Sequence, residues 1–281
     1  MVPGVMIRVE DVRVEYESKK VLGGVDLEIG SGEFVSLVGQ TGCGKSTLLR
    51  LILAEETPTS GRVLVEGVPR RQPDRHSGYV PQKYSLFPDK TVLDNITFGL
   101  EVSQFGLLAP FQPGYWKARK EFRARALGYV RTVGLHESDA GNYPHQLSGG
   151  MQQRVAIAQA LIMQPKILLM DEAFSALDPG TRSGMQRLIK KIWRETGTTI
   201  LFVTHNTREA ISLSTRIVAL AKSRVEAQGA TVALDLLVPD PLPESKITDL
   251  IQYIEERTQP MSALKKGTTE ADYAVLQAPR A

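Results

Sequence analysis

The chain has 281 residues, of which 42% are hydrophobic and 23% charged, and its formal net charge is +3. This composition is typical of a globular protein, and so small an excess of positive charge does not by itself indicate a nucleic-acid partner. One cysteine excludes an internal disulfide, no apolar run approaches the roughly 18 residues that span a bilayer, and residues 1–7 lack the features of a secretory leader.

A first strand is predicted for residues 7–16 because apolar and polar residues alternate there, and a buried strand is predicted for residues 33–38. A glycine-rich loop follows and precedes a helix that begins near Ser46. Glycines let the backbone turn its N–H groups toward an anion, and a helix start adds unpaired N–H groups. The loop fits G-x-x-x-x-G-K-[ST] and predicts a P-loop for a nucleoside triphosphate, formed by Gly39, Gln40, Thr41, Gly42, Cys43, Gly44, Lys45, Ser46 and Thr47.

Within this loop, Lys45 is expected to reach the β- and γ-phosphates, and the Ser46 hydroxyl to bind Mg²⁺. Cys43 is the one thiol of the chain. The surrounding N–H groups, the helix start and Lys45 would favour its thiolate, which predicts rapid alkylation that a nucleoside triphosphate bound with Mg²⁺ slows. The alternative is a small residue that is buried and inert.

Further along the chain, strands are predicted for residues 62–66 and 77–82, followed by a mostly helical region from about 87 to 163. From residue 166 the pattern alternates: strands 166–170, 199–203 and 216–221, with helices 181–195 and 208–214 between them. Such alternation predicts a parallel sheet with helices on both faces, and phosphates bind at the carboxyl ends of its strands.

Three further motifs follow the P-loop in the sequence. Residues 147–154 read LSGGMQQR, Asp171 and Glu172 follow a strand of four apolar residues, and His205 follows the strand that ends at Val203. In this order the motifs resemble those of the ATP-binding subunit of ABC transporters, over about residues 6–221. The resemblance implies an α/β P-loop NTPase fold with a RecA-like mixed sheet core, an N-terminal antiparallel β part and an α-helical subdomain.

The same resemblance implies the domain boundaries. Residues 1–221 would form the ABC ATPase cassette, with a helical subdomain at about 87–163 that carries the signature loop. Residues 222–281 would form a short C-terminal extension, in which residues up to about 257 add edge strands and a short helix. Residues 267–281 are expected to be loosely ordered.

The resemblance also implies catalytic roles. Asp171 would hold Mg²⁺ through water, and Glu172 would be the general base that polarises the attacking water. Gln82 would reach Mg²⁺ or that water, and His205 would donate to the γ-phosphate. Tyr16 is expected to stack on the adenine of ATP. The chain departs from the family pattern at Ala173, where proline is frequent, and at Asn206, where aspartate is usual.

The signature loop implies a second subunit. The family sandwiches each ATP between the P-loop of one subunit and the signature of the other, so a chain with one of each implies a homodimer or a pair with a related ATPase subunit. Residues expected at that shared site are Ser148, Gly149, Gly150, Gln152 and Asp178.

The resemblance further implies integral membrane permease subunits, an extracytoplasmic solute-binding protein, and a peripheral position on the cytoplasmic face of the inner membrane. Short motifs around the signature resemble importers of the nitrate, sulfonate and taurine group. The alternatives are a betaine-type importer, an exporter, a soluble ABC ATPase of DNA repair or translation, and a P-loop signalling switch. No nucleic acid is expected, and four histidines with one cysteine exclude a cysteine-rich zinc module.

The segment of residues 101–125 is longer than in a minimal cassette. It combines aromatic and basic residues, namely Phe105, Phe111, Tyr115, Trp116, Lys117, Arg119, Lys120, Arg123 and Arg125. One interpretation is a solvated basic helix with a packed loop. The other is a surface that contacts a membrane subunit or anionic lipid head groups.

Overall fold

The computed structural model describes residues 4–17, 19–74, 76–83, 86–106, 109–175, 177–222, 228–239 and 242–258. Contacts among these residues divide the chain into two units. Unit 1 holds the described residues up to Asp74 and those from Thr196 onward. Unit 2 holds the described residues between them, up to Glu195. The prediction of loose order for residues 267–281 concerns a part of the chain outside the described residues.

Ten strands occur among the described residues. They are β1 (Val5–Tyr16), β2 (Lys19–Gly30), β3 (Phe34–Gly39), β4 (Ser60–Val65), β5 (Val68–Pro69), β6 (Ser77–Val80), β7 (Ile167–Asp171), β8 (Thr199–Val203), β9 (Arg216–Lys222) and β10 (Ala230–Leu237). The helices of the same residues are α1 (Lys45–Leu53), α2 (Val92–Phe105), α3 (Tyr115–Thr132), α4 (Gly149–Leu161), α5 (Pro179–Thr196), α6 (Thr207–Leu213) and α7 (Glu244–Thr258). Short 3-10 turns cover Ala109–Phe111, Glu137–Gly141 and Pro144–Gln146.

The sheet of unit 1 is mixed. Its described strands follow the order β5-β4-β1-β2-β10-β9-β3-β8. The strands β1, β2, β4 and β5 pair antiparallel, which confirms the expected antiparallel part near the N-terminus. In contrast, β3 runs parallel to both β8 and β9, and all five residues of β8 are buried. Strands buried in this way read as continuous apolar runs, which is the pattern in the sequence.

This parallel pairing positions the loops of unit 1. Leu37 lies opposite Val203 in the register of β3 and β8. The carboxyl ends of the two strands therefore meet at one edge of the sheet. The loop after β3 leads into α1, and the loop after β8 carries Thr204 and His205.

Unit 2 contains a smaller parallel pair with α2, α3, α4 and most of α5. Tyr79 lies opposite Leu169 and Val80 opposite Met170 in the pair formed by β6 and β7. The residues that follow β6 and β7 therefore lie side by side at the carboxyl end of this pair. The helix α5 is amphipathic and buries Met185 and Ile189. These observations confirm the predicted α/β class with a helical region.

The expectation of edge strands after residue 221 is wrong, because β10 lies between β2 and β9 inside the sheet of unit 1. Arg216 of β9 forms two ion pairs, in which its guanidinium donates to Asp235 of β10 at 2.7 Å and to Glu33, the residue before β3, at 3.0 Å. The helix α7 packs Leu250, Tyr253 and Ile254 into an apolar cluster with β9, β10 and α6. The strand β10 and the helix α7 therefore contribute side chains to the core of unit 1.

Candidate functional site

The loop between β3 and α1 has a backbone that requires glycine at two points. Gly44 caps α1 with φ 98°, and a β-carbon built there would lie 2.6 Å from Leu22 Cδ2. Gly39 has φ 149°, and its β-carbon would lie 2.3 Å from the Leu220 carbonyl oxygen. Both distances are below any ordinary contact, so the fold of the loop depends on these residues.

Lys45 is the first residue of α1 and is only 6% exposed. Its ammonium donates to the carbonyl oxygens of Gly39 at 2.6 Å and Gln40 at 3.0 Å. No side chain caps the start of α1, and its first turn holds no acidic residue. The N–H groups of the first turn and the buried Lys45 ammonium therefore lie together at the loop. The start of the helix supplies no negatively charged side chain to pair with them. Exposed residues at the same place are Gln40, Thr41 and Gly42 of the loop and Ser46 in the first turn of α1.

Cys43 does not have the reactive thiolate that the sequence predicted. It is 1% exposed, and burial raises the pKa of its thiol. The Lys45 ammonium, 4.0 Å from Sγ, acts in the opposite direction but is the smaller influence. Desolvation disfavours the charged form more strongly than one nearby cation favours it. The alternative of a buried, inert thiol is the one that the structure supports.

Tyr16 lies at the end of β1 with an exposed ring. Its hydroxyl donates to the Glu56 carboxylate, and this hydrogen bond, together with burial, raises the pKa of the phenol. Glu56 also forms an ion pair with Arg50 of α1 at 3.2 Å. Glu56 therefore fixes Tyr16 beside α1. Sequence reasoning missed Glu56, since only the tertiary structure brings it to β1.

The residues on either side of His205 are joined by a network of hydrogen bonds. The buried Thr204 hydroxyl donates to the Glu209 carboxylate at 2.6 Å and accepts from the Asn206 N–H at 3.0 Å. The Asn206 side chain caps α6 by accepting from the Glu209 N–H at 3.1 Å. Asparagine thus serves as the cap at a position where the family usually has aspartate. The spacing N-x-x-E is a capping pattern and was the missed signal for Glu209.

In unit 2, the parallel register of β6 and β7 brings Gln82 to Glu172. The Gln82 amide donates to Glu172 Oε2 at 2.8 Å. Asp171 is the buried last residue of β7, while Glu172 is partly exposed with φ 45°. A left-handed backbone is uncommon for a residue other than glycine, and such residues are often found at functional sites. The structure therefore gives Gln82 a partner that the sequence did not predict.

The signature residues form the start of α4, also in unit 2. Ser148 is the cap of this helix, and its side chain accepts from the Met151 N–H at 3.3 Å. The Gln152 amide donates to the Leu147 carbonyl oxygen at 3.1 Å. Gly149 and Gly150 occupy the first helical turn, where a β-carbon on Gly150 would make an ordinary 3.5 Å contact with Leu177.

Asp178 is fully exposed at the start of α5, next to Pro179. It accepts from the Thr181 N–H at 3.0 Å, and this backbone hydrogen bond lowers the pKa of its carboxyl. In the part of the chain that the structure describes, no three histidine, cysteine, aspartate or glutamate side chains group as metal ligands. Among the same residues, no helix is both long and apolar enough to cross a membrane.

Comparison with known proteins places these motifs in a family. Residues 22–175 match the family described as "ABC transporter". The spermidine/putrescine import ATP-binding protein PotA of Vibrio cholerae is 38% identical over 230 residues, which cover 80% of this chain and 57% of that protein. The aliphatic sulfonates import ATP-binding protein SsuB of Pseudomonas entomophila is 40% identical over 240 residues, 85% of this chain and 79% of that protein.

A solved structure agrees with these sequence matches. The dimeric ATP-binding cassette MJ0796, bound to ADP and phosphate after hydrolysis, superposes with a TM-score of 0.70 at 33% identity, over 83% of this chain and 99% of its own. The P-loop NTPase fold predicted from the motifs is thereby confirmed. This chain spans just over half the length of the PotA relatives that it matches. With a family match over more than half of its residues and a cassette fold, the chain belongs to the ABC transporter family.

Proposed function

We propose that this chain is the ATP-hydrolysing subunit of an ABC importer. The observation that carries the proposal is the uncapped start of α1, where Lys45 lies buried among carbonyl oxygens. An ammonium with only neutral acceptors and a helix start with unpaired N–H groups are both stabilised by a bound phosphate chain. The exposed ring of Tyr16 supports the further proposal that it stacks on the adenine.

The donor set also fits Mg²⁺ bound together with a triphosphate. Magnesium retains several waters and takes only one or two protein groups beside phosphate oxygens, so it needs no cluster of carboxylates. In unit 1, Ser46, exposed in the first turn of α1, is the residue proposed to hold it. The proposed role of Asp171 in unit 2 rests on the resemblance of the sequence motifs. When bound, the ion would neutralise charge on the β- and γ-phosphates.

For hydrolysis, we assign the general base to Glu172. The Gln82 amide donates to Glu172 Oε2 at 2.8 Å and so helps to orient the carboxylate that would accept a proton from water. His205 is proposed to donate to the γ-phosphate. The hydrogen bonds among Thr204, Asn206 and Glu209 support this role because they hold the backbone on both sides of the histidine.

We further propose that the working unit is a dimer, with a second copy of this chain or a related ATPase subunit. The start of α4 has a dipole and first-turn N–H groups but no cation of its own, so it suits a γ-phosphate that another P-loop already holds. Ser148, Gly149, Gly150 and Gln152 would form this contact, with Asp178 at the same interface. The dimeric cassette that matches the fold supports this arrangement.

The names of the relatives, both import ATP-binding proteins, support the transport partners that we propose. We propose permease subunits in the inner membrane, an extracytoplasmic solute-binding protein, and a peripheral position of this chain on the cytoplasmic side. The solute proposed is an organic or inorganic anion of the nitrate, sulfonate and taurine type. The match to the sulfonate importer subunit covers 79% of that protein, against 57% for the polyamine importer subunit, which favours the anion.

The substitution Glu172→Gln tests the hydrolytic assignment. It removes the base but keeps the phosphate contacts, so the hydrolysis rate should fall on the order of 10²- to 10⁴-fold while ATP and Mg²⁺ still drive dimer formation. Size-exclusion chromatography with and without ATP measures the dimer, and Glu255→Gln on α7 is the matched control. A variant that stays monomeric and hydrolyses ATP at the normal rate would contradict the proposal.

The solute is tested through the complex. The chain is purified with its membrane subunits from native membranes, and the accompanying binding protein is identified and expressed. Its thermal unfolding is then followed with an alkanesulfonate, nitrate or spermidine. Stabilisation by the anions supports the proposal, whereas stabilisation by spermidine alone would assign the polyamine class instead.

A further inference from the structure

The connection between α2 and α3 presents two large aromatic side chains to solvent. Phe111 is 86% exposed and Trp116 is 65% exposed, on a 3-10 turn and in the first turn of α3. Both lie in the segment that is longer than a minimal cassette requires. Aromatic residues this exposed and this close in sequence are a feature of contact surfaces.

The turn that carries these aromatics is held in place by neighbouring side chains. Tyr115 is buried, donates to Glu101 at 2.7 Å and packs edge-on against Phe105 with ring centroids 5.5 Å apart. The Gln112 amide donates to the Phe105 carbonyl oxygen at 2.6 Å. Because Gln112 and Tyr115 are held to α2 by these contacts, the ring of Phe111 between α2 and α3 stays exposed to solvent.

The charges beside the aromatics are strongly one-sided. The helix α3 contains six basic residues and one acidic residue, Glu121. Asp94 on α2 accepts from Arg119 at 3.0 Å and from Arg123 at 2.8 Å. Lys117 and Lys120 are exposed, and neither forms an ion pair within the described residues. The positive charge left uncompensated therefore lies next to Trp116.

We propose that Phe111, Trp116, Lys117 and Lys120 form a lipid-contact patch that binds the surface of an anionic phospholipid membrane. Aromatic rings partition to the depth of the head groups, and lysine side chains beside them are attracted by lipid phosphates. A protein partner is the less favoured occupant, because lysine is depleted at protein interfaces. Direct contact with lipid would hold this subunit at the membrane in addition to its contacts with permease subunits.

The fluorescence of Trp116 can be measured separately, because the chain has only one other tryptophan, Trp193, which can be replaced. In the Trp193→Phe variant, vesicles of equal parts phosphatidylcholine and phosphatidylglycerol should shift the emission of Trp116 to shorter wavelength. Lipids brominated on the acyl chain should quench it. The matched variant is Trp116→Phe, in which Trp193 should show neither the shift nor the quenching.

The charge of the patch is tested by co-sedimentation with the same vesicles. The double variant Lys117→Gln, Lys120→Gln should bind them on the order of 25-fold more weakly, since each lysine near an anionic surface contributes about five-fold. The control, Lys19→Gln with Lys20→Gln, removes the same charge from exposed positions in β2. The variant Phe111→Ser, Trp116→Ser should lose binding while keeping its helical circular dichroism and its ATP hydrolysis.

Three results would overturn the proposal. One is an unchanged emission of Trp116 with mixed vesicles. Another is an equal loss of binding in the two double lysine variants, since that would indicate net charge and not this patch. The third is photo-crosslinking from position 116 to a membrane protein in native membranes, with no response to protein-free vesicles, which would assign the patch to a protein partner.

Discussion

Two helices of this chain have glycines at their N-terminal ends, and they differ in how their first N–H groups are satisfied. At α1 the cap is Gly44 in a left-handed conformation, without a capping side chain, and the first residue of the helix is the buried Lys45. At α4 the cap is Ser148 in an extended conformation, and its side chain accepts from the Met151 N–H.

The difference fits distinct roles for the two anion sites that we propose at these helix starts. The start of α1 brings a cation and unpaired donors, so it can hold a polyphosphate by itself. The start of α4 is already capped and has no basic residue before Arg154, whose guanidinium donates to the Gly134 carbonyl oxygen at 2.7 Å. We therefore expect α4 to bind weakly alone and to act on a phosphate that is already bound elsewhere.

The largest expected effect is that of Lys45→Ala. Removing the cation of α1 should lower ATP hydrolysis on the order of 10²- to 10³-fold and weaken nucleotide binding, because the charge on the phosphates loses its nearest positive partner. Steady-state hydrolysis and calorimetric titration with ATP measure the two effects. The control is Lys20→Ala, an exposed lysine of β2. Normal nucleotide affinity in the Lys45 variant would remove the contrast between the two helix starts.

At α4, Ser148→Arg should abolish hydrolysis without abolishing nucleotide binding, since the bulky side chain would block the start of α4, which is proposed to contact the ATP of the partner subunit, and would leave this chain's own P-loop intact. Ser148→Ala is the matched variant, because it removes only the cap and should destabilise by about 1 kcal/mol. Mixing Ser148→Arg with Lys45→Ala should restore one composite site per dimer and part of the activity. Full hydrolysis by Ser148→Arg alone would refute the shared site.

The backbone of the P-loop is tested by two alanine substitutions. Gly44→Ala combines a left-handed φ with a contact of 2.6 Å to Leu22 and should destabilise by roughly 2–3 kcal/mol. Gly42→Ala also has a positive φ, 76°, but a β-carbon there meets no atom within 4 Å, so it should cost only about 1–2 kcal/mol. Urea unfolding followed by circular dichroism measures both. Equal losses would mean that the contact with Leu22 relaxes freely.

The features of the two helix starts that could be predicted from the sequence are those that depend on residues adjacent in the chain. The P-loop was readable because strand, loop and helix are adjacent in the sequence, and the signature at the start of α4 was readable from its resemblance to the family motif. The burial of Cys43 and the hydrogen bond from Tyr16 to Glu56 were not, since they arise from packing between distant segments. The strand β2, which supplies Leu22 beside Gly44, was also missed, although its residues 25–29 alternate apolar and charged side chains and it pairs with the neighbouring β1.

Gly150→Ala should give the smallest change in stability. The variant distinguishes a glycine needed for folding from one needed for the approach of a ligand. Gly150 lies in the first turn of α4, and its β-carbon would make only an ordinary contact of 3.5 Å, so the fold has no need of glycine there. Alanine should leave stability unchanged or raise it by about 0.5 kcal/mol.

We nevertheless expect hydrolysis to fall on the order of ten-fold or more, because a phosphate approaching the start of α4 from another subunit would meet the added methyl group and be misplaced. Urea unfolding and steady-state hydrolysis, measured on the same preparation, give the two numbers. Gly184→Ala in α5, where a β-carbon meets nothing within 4 Å, is the control for a helical glycine away from the signature. If Gly150→Ala is as active as the control, then no ligand approaches this turn closely, and the contrast between α1 and α4 is one of folding alone.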